Sequence, residues 1–270
     1  MISNVPIAVT IAGSDSGGGA GIQADLKSFS ANYVYGASVI TALTAQNTLG
    51  VTAIQDVPAS FITAQMDAVF SDLDVAAVKI GMLSQVDVIH SVARGLDKFA
   101  PKNIVLDPVM IAESGDALLA GEAISILVKE LFPRASLITP NLHEAAKILD
   151  VEPATNREEM QGQANALLVL GANAVLLKGG HADDDEAADI LVTGSQSSWF
   201  LAPRINTKNT HGTGCSLSSA IAANLAHGKP LEEAVGEAKT WLTGAIKAAD
   251  QLNIGKGHGP VHHFHNLWGK

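Results

Sequence analysis

The residues with the clearest chemical potential lie between Asn209 and Ala223, where two glycines and a cysteine precede a run of small residues. The glycines permit a close approach of the backbone, and the small apolar run predicts a buried helix. A first helical turn has N–H groups without an internal partner and carries the positive end of the helix dipole. The sequence therefore predicts a catalytic, phosphate-binding anion site at this helix start. Its four candidate residues are Gly212, Thr213, Gly214 and Cys215.

Cys215 is the only cysteine among the 270 residues. At a helix start, the positive end of the dipole would lower the pKa of its thiol from about 8.5. The alternative is a small buried residue that packs the first turn. A single cysteine excludes an intramolecular disulfide bond, which favours a reducing, cytoplasmic location.

Three further polar residues, Asp107, Asn141 and Lys178, lie at the ends of predicted strands. Because ligands of parallel sheets bind at the carboxyl ends of the strands, these side chains are candidates for one common site. Phosphoryl transfer needs positioned donors and neutralised charge, so Lys178 is a candidate for the phosphates of ATP. Asp107 and Glu144 are candidates for Mg²⁺, held directly or through water. Singly, a strand-end lysine is also typical of a surface, and an Asp-Pro pair is typical of a turn.

Apolar runs and helical spacings alternate along the chain, which predicts an α/β fold with a largely parallel central sheet and helices on both faces. The predicted strands cover residues 5–12, 35–45, 51–57, 76–82, 103–107, 135–139, 174–178, 189–193 and 198–203. The predicted helices cover residues 22–33, 58–71, 86–99, 118–131, 142–149, 157–170, 216–227 and 230–249. The last two strands flank a short turn, so they are expected to form a small antiparallel edge of the sheet.

Composition limits the class of protein. With 47% hydrophobic and 16% charged residues, the chain suits a single domain over residues 1–270. A net charge of −10 argues against nucleic acid as a partner, since binding to a phosphate backbone needs clustered Lys and Arg. No stretch approaches the roughly 20 apolar residues of a membrane span, so a soluble protein without a membrane partner is expected. The acidic run at residues 183–186 is interpreted as a solvated loop.

The glycine-rich loop near the N-terminus allows a second interpretation. Gly19, Gly21 and Ala24 fit a loosened dinucleotide-binding pattern after a strand. That site needs an acidic residue about 20 positions further on, and none occurs between Tyr35 and Asp56. A phosphate loop ending in Gly-Lys-Ser/Thr is missing too, so neither of these nucleotide sites is predicted.

Five segments closely resemble the hydroxymethylpyrimidine and phosphomethylpyrimidine kinases, which are thiamine-pathway members of the ribokinase-like superfamily. The segments are Ala12–Asp25, Lys79–Leu83, Leu106–Met110, Leu177–His181 and Asn209–Ser216. The resemblance implies a ribokinase-like fold and two successive ATP-dependent phosphorylations. The first acts on 4-amino-5-hydroxymethyl-2-methylpyrimidine and the second on its monophosphate. Most sugar and nucleoside kinases of the superfamily carry an aspartate at the position of Cys215, so a simple carboxylate base is not expected here.

The resemblance also implies roles for single residues. Gln46 offers both a donor and an acceptor to the edge of an aminopyrimidine, although a polar strand end would also explain it. Asp25 would bind substrate as well, or would simply favour the dipole of its helix. The expected pyrimidine site comprises Gly13, Asp25, Gln46, Met82 and Val109, the expected nucleotide site comprises Asn141, Lys178 and Lys239, and Asp107 and Glu144 are the expected metal ligands. A homodimer that acts on small molecules, with no fused enzyme domain, is expected.

Two other functions stay open from the sequence. A pyridoxal kinase would share the fold, the cofactors and a similar glycine-cysteine motif, whereas a nonenzymatic nucleotide sensor would bind ATP without turnover. The histidines at positions 262, 263 and 265 suggest a metal site, but they lie too close together to converge without a loop, and no cysteine or carboxylate lies nearby. A packing or substrate-adjacent role is predicted for them.

Overall fold

The computed structural model describes residues 5–110, 119, 121–179, 186–194 and 196–268. The strands within these residues are β1 (Ile7–Asp15), β2 (Tyr35–Asn47), β3 (Gly50–Asp56), β4 (Val75–Ile80), β5 (Ile104–Leu106), β6 (Leu137–Ile138), β7 (Ala174–Lys178), β8 (Glu186–Thr193) and β9 (Ser197–Pro203). The helices are α1 (Gly21–Ala31), α2 (Ala59–Phe70), α3 (Val86–Phe99), α4 (Gly121–Leu131), α5 (Leu142–Leu149), α6 (Arg157–Val169), α7 (Thr213–Ala226) and α8 (Leu231–Lys247). Each predicted element is present, and α3, α5 and β7 have the predicted bounds. The predicted first residue of α4, at position 118, lies outside the described residues.

The described strands form one sheet in the order β3-β2-β1-β4-β5-β6-β7-β8-β9. Pairing is parallel from β2 to β7. The antiparallel pair of β8 and β9 at one edge confirms the prediction. Two antiparallel pairings were not predicted, that of β7 with β8 and that of β2 with β3 at the other edge. The sheet is thus mostly parallel with antiparallel edges.

β1 is longer than its apolar run predicts. The run ends at Ala12, but the strand continues to Asp15 because Ser14 and Asp15 pair with Leu43 and Thr44 of β2. A register shift occurs between Ala12 and Ser14. The glycine-rich turn therefore begins after Asp15, at the carboxyl end of the strand.

Helices cover both faces of the sheet. Helices α2 to α6 pack over larger aliphatic side chains on one face, and α1, α7 and α8 pack over the other. The second face carries small residues such as Ala8, Ala77 and Ala174, and α7 faces them with alanines of its own. Small residues on both sides let α7 lie close to the sheet and bring its start to the strand ends. None of the described helices combines the length and apolar content needed to cross a lipid bilayer.

Candidate active site

The start of α7 requires a glycine. Gly212 has a φ of 80°, in the left-handed region, and a Cβ at this position would collide with the carbonyl oxygen of Gly19. The helix then continues as a buried one, with every residue from Ser216 to Leu225 inside the protein. The turn before α7 and the N-terminal glycine-rich turn are therefore in direct backbone contact.

The first turn of α7 supplies fewer free donors than predicted. The N–H of Thr213 donates to the carbonyl oxygen of Thr210 at 3.1 Å, so it is not available to an anion. The N–H groups of Gly214 and Cys215 lie in the first turn, where the helix itself offers them no carbonyl. These two groups, with the positive end of the helix dipole, form the core of the candidate anion site.

An ion pair lies beside this first turn. Lys178, the last residue of β7, places its Nζ 2.9 Å from Oδ1 of Asp107, the residue after β5. A Cβ built on Gly214 would lie 3.4 Å from that Nζ and 3.6 Å from Oδ2 of Asp107. Burial disfavours the charged form of both residues, but the attraction between the carboxylate and the ammonium group outweighs this effect. The pKa of Asp107 is therefore lowered and the pKa of Lys178 is raised. Both residues are therefore charged at neutral pH next to the helix start.

Asn141 and Glu144 form a capping box at the start of α5. Oδ1 of Asn141 accepts from the N–H of Glu144 at 2.8 Å, and Oε2 of Glu144 accepts from the N–H of Asn141 at 2.7 Å. The spacing Asn-x-x-Glu is a known signature of this motif, so the sequence contained the signal for a structural role that was not predicted. Burial raises the pKa of Glu144 to about 7, a rise that Lys178 opposes and Asp107 increases.

The carboxylates of Asp107 and Glu144 can be tested for their fit to Mg²⁺. Asp107 is 2% exposed and Glu144 is 7% exposed. Oδ1 of Asp107 already accepts hydrogen bonds from Lys178 and from Oγ1 of Thr139, both at 2.9 Å. Mg²⁺ keeps several waters and is usually held by one or two carboxylates together with phosphates. The two residues fit an ion held through water, and no cluster of three or more His, Cys, Asp or Glu side chains suited to a metal occurs in the described part of the chain.

Three residues predicted for the pyrimidine lie at or near the N-terminal glycine-rich turn. A Cβ on Gly13 would lie 3.1 Å from Sδ of Met82, so the thioether packs directly against the glycine. The backbone N–H of Gln46 donates to Oγ of Ser16 at 2.9 Å, and this Oγ lies 2.8 Å from the carbonyl oxygen of Gln46. Oε1 of Gln46 accepts from Oγ1 of Thr44 at 3.0 Å. Gln46 thus faces the glycine-rich turn, as the sequence predicted.

Val109 lies beside the Lys178–Asp107 ion pair. It is partly exposed, and its N–H donates to the carbonyl oxygen of Asp107 at 2.8 Å. This short turn after β5 places Val109 beside the residue that pairs with Lys178. Its predicted contact with the pyrimidine stays a prediction.

Asp15 and His211 were not among the predicted site residues. The carboxylate of Asp15 accepts three backbone N–H groups at 2.7 to 2.9 Å, from residues 17, 19 and 20, and lies 3.0 Å from Nε2 of His211. The same Nε2 lies 3.5 Å from Nε2 of Gln46. Burial opposes the charge of Asp15, but His211 and the N–H groups lower its pKa. An Asp before Ser-Gly-Gly is typical of an Asx turn, which is the sequence signal that marks Asp15.

Asp25 is not placed as a substrate-binding residue should be. It lies in α1 without any exposed surface, and both of its carboxylate oxygens are 2.9 Å from Nζ of Lys79. Thr10 and Ser219 donate to the same carboxylate at 2.6 and 2.7 Å. The carboxylate is thus fully enclosed by protein donors, which does not support the predicted direct contact with the pyrimidine.

The pKa of the Cys215 thiol is raised, in contrast to the predicted lowering. Burial raises this pKa to about 11, and the nearby carboxylates of Asp25 and Asp107 add to the effect. Lys79 and the N–H of Gly21 oppose it without reversing it. The thiol is therefore protonated at neutral pH, where it can act as a weak hydrogen-bond donor but not as a thiolate.

Lys239 has a carboxylate partner. Its Nζ pairs with Asp189 of β8, and the other oxygen of Asp189 accepts from the N–H of Gly179 at 3.0 Å. Asp189 thereby connects Lys239 to the residue that follows Lys178. The predicted role of Lys239 in nucleotide binding stays a prediction.

The C-terminal histidines pack against the helices of the site. His262 and His263 are buried, and Nε2 of His263 lies 2.9 Å from Oγ of Ser216 in α7. The N–H of His262 donates to the carbonyl oxygen of Ala245 in α8 at 3.0 Å. These contacts agree with the predicted packing role. The acidic run lies outside the described residues except for Glu186, which begins β8, and so do the last two residues of the Leu177–His181 segment.

Known proteins resemble this chain in sequence and in structure. The phosphomethylpyrimidine kinase family matches residues 15–262. The hydroxymethylpyrimidine/phosphomethylpyrimidine kinase of Rhizobium meliloti is 60% identical over 262 residues, which are 97% of this chain and 98% of that protein. The crystal structure of a phosphomethylpyrimidine kinase from Clostridium difficile superposes with a TM-score of 0.80 at 47% identity, covering 90% of this chain and 100% of that chain. An ADP complex of pyridoxal kinase from Bacillus subtilis superposes with a TM-score of 0.91 at 34% identity, covering 98% and 100%.

Proposed function

The chain belongs to the phosphomethylpyrimidine kinase family, and we propose that it phosphorylates an aminopyrimidine alcohol at the expense of ATP. The proposed acceptor is 4-amino-5-hydroxymethyl-2-methylpyrimidine, whose monophosphate then accepts a second phosphoryl group to become the diphosphate. The observation that carries this proposal is the start of α7. There Gly214 faces the Lys178–Asp107 pair, while Gly212 contacts the glycine-rich turn beside Gln46.

The transferring phosphoryl group would lie at the first turn of α7. The N–H groups of Gly214 and Cys215 would donate to phosphoryl oxygens whose charge must be stabilised in the transition state. Lys178 would neutralise further charge, and its pairing with buried Asp107 holds it in place before ATP binds. Magnesium, when held through water by Asp107 and Glu144, would supply additional charge neutralisation on the phosphates.

The acceptor would lie on the side of the glycine-rich turn. The amide of Gln46 would pair with the amino edge of the pyrimidine, and the thioether of Met82, which packs against Gly13, would offer an apolar contact to the ring. Because the thiol of Cys215 is protonated, it cannot take the proton of the hydroxyl group. The loose transition state of phosphoryl transfer needs positioning more than it needs a strong base.

A coupled assay for ADP release tests this proposal with three acceptors: the pyrimidine alcohol, its monophosphate and pyridoxal. We expect ATP-dependent turnover with the first two, and two ADP released for each pyrimidine alcohol consumed. ADP release no faster than with ATP alone would contradict the proposal and would favour a nucleotide sensor.

Pyridoxal kinase activity is the second candidate. The high structural similarity to the Bacillus subtilis pyridoxal kinase favours it, at a lower sequence identity than the pyrimidine kinases have. The same assay separates the two candidates, because a higher kcat/KM for pyridoxal than for the pyrimidine alcohol would assign the chain to pyridoxal instead.

We also propose that residues 1–270 act as one domain, in the cytoplasm, as a homodimer. The described strands share one sheet, and a lone cysteine suits a reducing compartment. The β2–β3 edge exposes Leu43, Leu49 and Ile54, which would suit contact with a second copy. Size-exclusion chromatography with light scattering tests the dimer, and a monomer mass at micromolar concentration would contradict it.

A further inference from the structure

A buried ion pair beneath the site has no part in the proposed reaction. Lys79 in β4 and Asp25 in α1 have no exposed surface, and Nζ of Lys79 lies 2.9 Å from both oxygens of Asp25. Removing two charges from water costs about as much free energy as their attraction returns, so such a pair is a weak stabiliser. Apolar side chains of similar size would fill the same space. Stability alone therefore does not explain the pair.

The pair lies where four elements of the site meet. Its carboxylate, on α1, accepts from Thr10 of β1 at 2.6 Å, from Lys79 of β4 and from Ser219 of α7 at 2.7 Å. The strands β1 and β4 lead to Gly13 and Met82 on the pyrimidine side. Ser219 lies one helical turn after Cys215, in the helix that begins at the anion site. The carboxylate of Asp25 thus connects the strands that lead to the proposed pyrimidine site with the helix that begins at the anion site.

The surroundings leave the pair little freedom to move. A Cβ on Gly81 would lie 2.7 Å from Nζ of Lys79, so the backbone passes over the ammonium group without space for a side chain. Burial opposes the charge of Lys79, but the carboxylates of Asp25 and Asp107 raise its pKa. The ammonium group of Lys79 is therefore charged at neutral pH, 2.9 Å from both oxygens of Asp25.

We propose that Lys79 and Asp25 are positioning residues that hold the first turn of α7 at the correct distance from the bound pyrimidine. Asp25 holds α7 through Ser219, and Lys79 holds Asp25. This inference rests on the proposed kinase reaction. A misplacement of about 1 Å between two reacting groups lowers a rate by on the order of 10²-fold, so the pair would act on kcat far more than on KM.

The link between the pair and α7 can be broken without touching either charge. Ser219→Ala should lower kcat by about 10-fold or more while KM for ATP and for the pyrimidine alcohol stays within about twofold. Ser28→Ala is the matched control, because Ser28 is also fully buried in a helix but donates only to the carbonyl oxygen of Ala24 at 2.8 Å. Equal kcat values for the two variants would overturn the proposal.

The charges can be tested by a double substitution. Lys79→Met alone leaves a buried carboxylate without its cation and should lower Tm by roughly 10 °C. Lys79→Met with Asp25→Asn removes both charges and should regain most of that Tm without regaining kcat. A double variant that folds and has wild-type kcat would overturn the proposal, and so would one that cannot fold, since the pair would then be needed for stability. If the wild-type protein has no kinase activity, the proposed function itself is contradicted, whatever the variants show.

Discussion

The candidate site has two sides that are built differently. The phosphate side is formed by the first turn of α7 and the Lys178–Asp107 pair, and the pyrimidine side is formed by the glycine-rich turn and Gln46. On the phosphate side, buried charges are held by partners, as Lys178 is by Asp107 and Glu144 is by the backbone of α5. On the pyrimidine side, Asp15 organises the backbone of the glycine-rich turn and the neutral amide of Gln46 lies beside it. We infer that fixed charge serves the transfer step on the phosphate side, whereas on the pyrimidine side the charge of Asp15 holds the glycine-rich turn and the neutral amide of Gln46 selects the acceptor. Substitutions on the two sides should therefore change different kinetic constants.

The largest effect is expected at Gly212, where the two sides touch. Gly212→Ala would drive a Cβ into the carbonyl oxygen of Gly19 and displace the start of α7. We expect kcat/KM for ATP to fall on the order of 10³-fold, the upper range for loss of a preorganised donor. Steady-state kinetics, with circular dichroism to confirm folding, measures this effect.

Gly228→Ala provides the control for Gly212→Ala. Gly228 has a similar φ of 82°, but a Cβ there would meet no atom within 4 Å. The substitution adds backbone strain far from the start of α7 and should leave kcat/KM near the wild-type value. Similar activities for the two variants would show that the turn before α7 is not the anion site.

The next effect concerns selection at Gln46. Loss of a buried hydrogen-bond partner costs about 1 to 3 kcal/mol, so Gln46→Leu should raise KM for the aminopyrimidine by roughly 5- to 150-fold. KM for ATP should change less than about twofold if the two sides are independent. Gln55→Leu, an exposed glutamine on the neighbouring strand β3, should change neither constant. Equal changes for both substrates would remove the distinction between the two sides.

The fold was predicted well because its signals are local. Apolar runs, helical spacing and glycines predicted the elements, and α3, α5 and β7 have the predicted bounds. The partners of buried side chains were not predictable in this way. Lys79 and Ser219 are 54 and 194 residues from Asp25, and their contacts with it depend on how distant elements pack. The raised pKa of Cys215 has the same origin, since burial and distant carboxylates outweigh the local helix field.

A smaller effect is expected from Glu144, whose pKa is raised to about 7 by burial. As pH rises through 7 the carboxylate loses its proton and gains affinity for a cation. The Mg²⁺ concentration for half-maximal rate should therefore fall by up to about 10-fold between pH 6 and pH 8. Glu144→Gln should remove this pH dependence without changing KM for the pyrimidine, and a wild-type-like profile in the variant would limit Glu144 to its capping role.

Stability gives a second measurement on Glu144 that needs no metal. Its pKa in the folded protein lies above the ordinary value of 4.5, so the folded state holds the proton more tightly than the unfolded state does. The resulting stabilisation is present below about pH 4.5 and is lost as pH rises through 7, an effect of up to about 3 kcal/mol. Relative to Glu144→Gln, the wild-type protein should therefore lose stability between pH 5 and pH 8 in thermal unfolding. If the difference in stability between the two proteins stays the same from pH 5 to pH 8, the raised pKa of Glu144 is contradicted.

The smallest effect is expected at Cys215. Because the thiol is protonated, it contributes at most a weak donor to the anion site, and Cys215→Ala should lower kcat by only about 3- to 10-fold. Alkylation by iodoacetamide should be slow at pH 7 and should accelerate towards pH 11. Rapid alkylation at pH 7, or a loss of activity in Cys215→Ala as large as that of Gly212→Ala, would show that Cys215 acts as a thiolate.

The most direct test is a competition between acceptors followed by ³¹P NMR. Wild-type protein would receive equal concentrations of the pyrimidine alcohol and pyridoxal, with excess ATP and Mg²⁺. The signal of the pyrimidine monophosphate is expected first, followed by the paired signals of the diphosphate, while pyridoxal phosphate accumulates more slowly. A spectrum with no phosphorylated pyrimidine, or with pyridoxal phosphate as the first and main product, would contradict the proposed function.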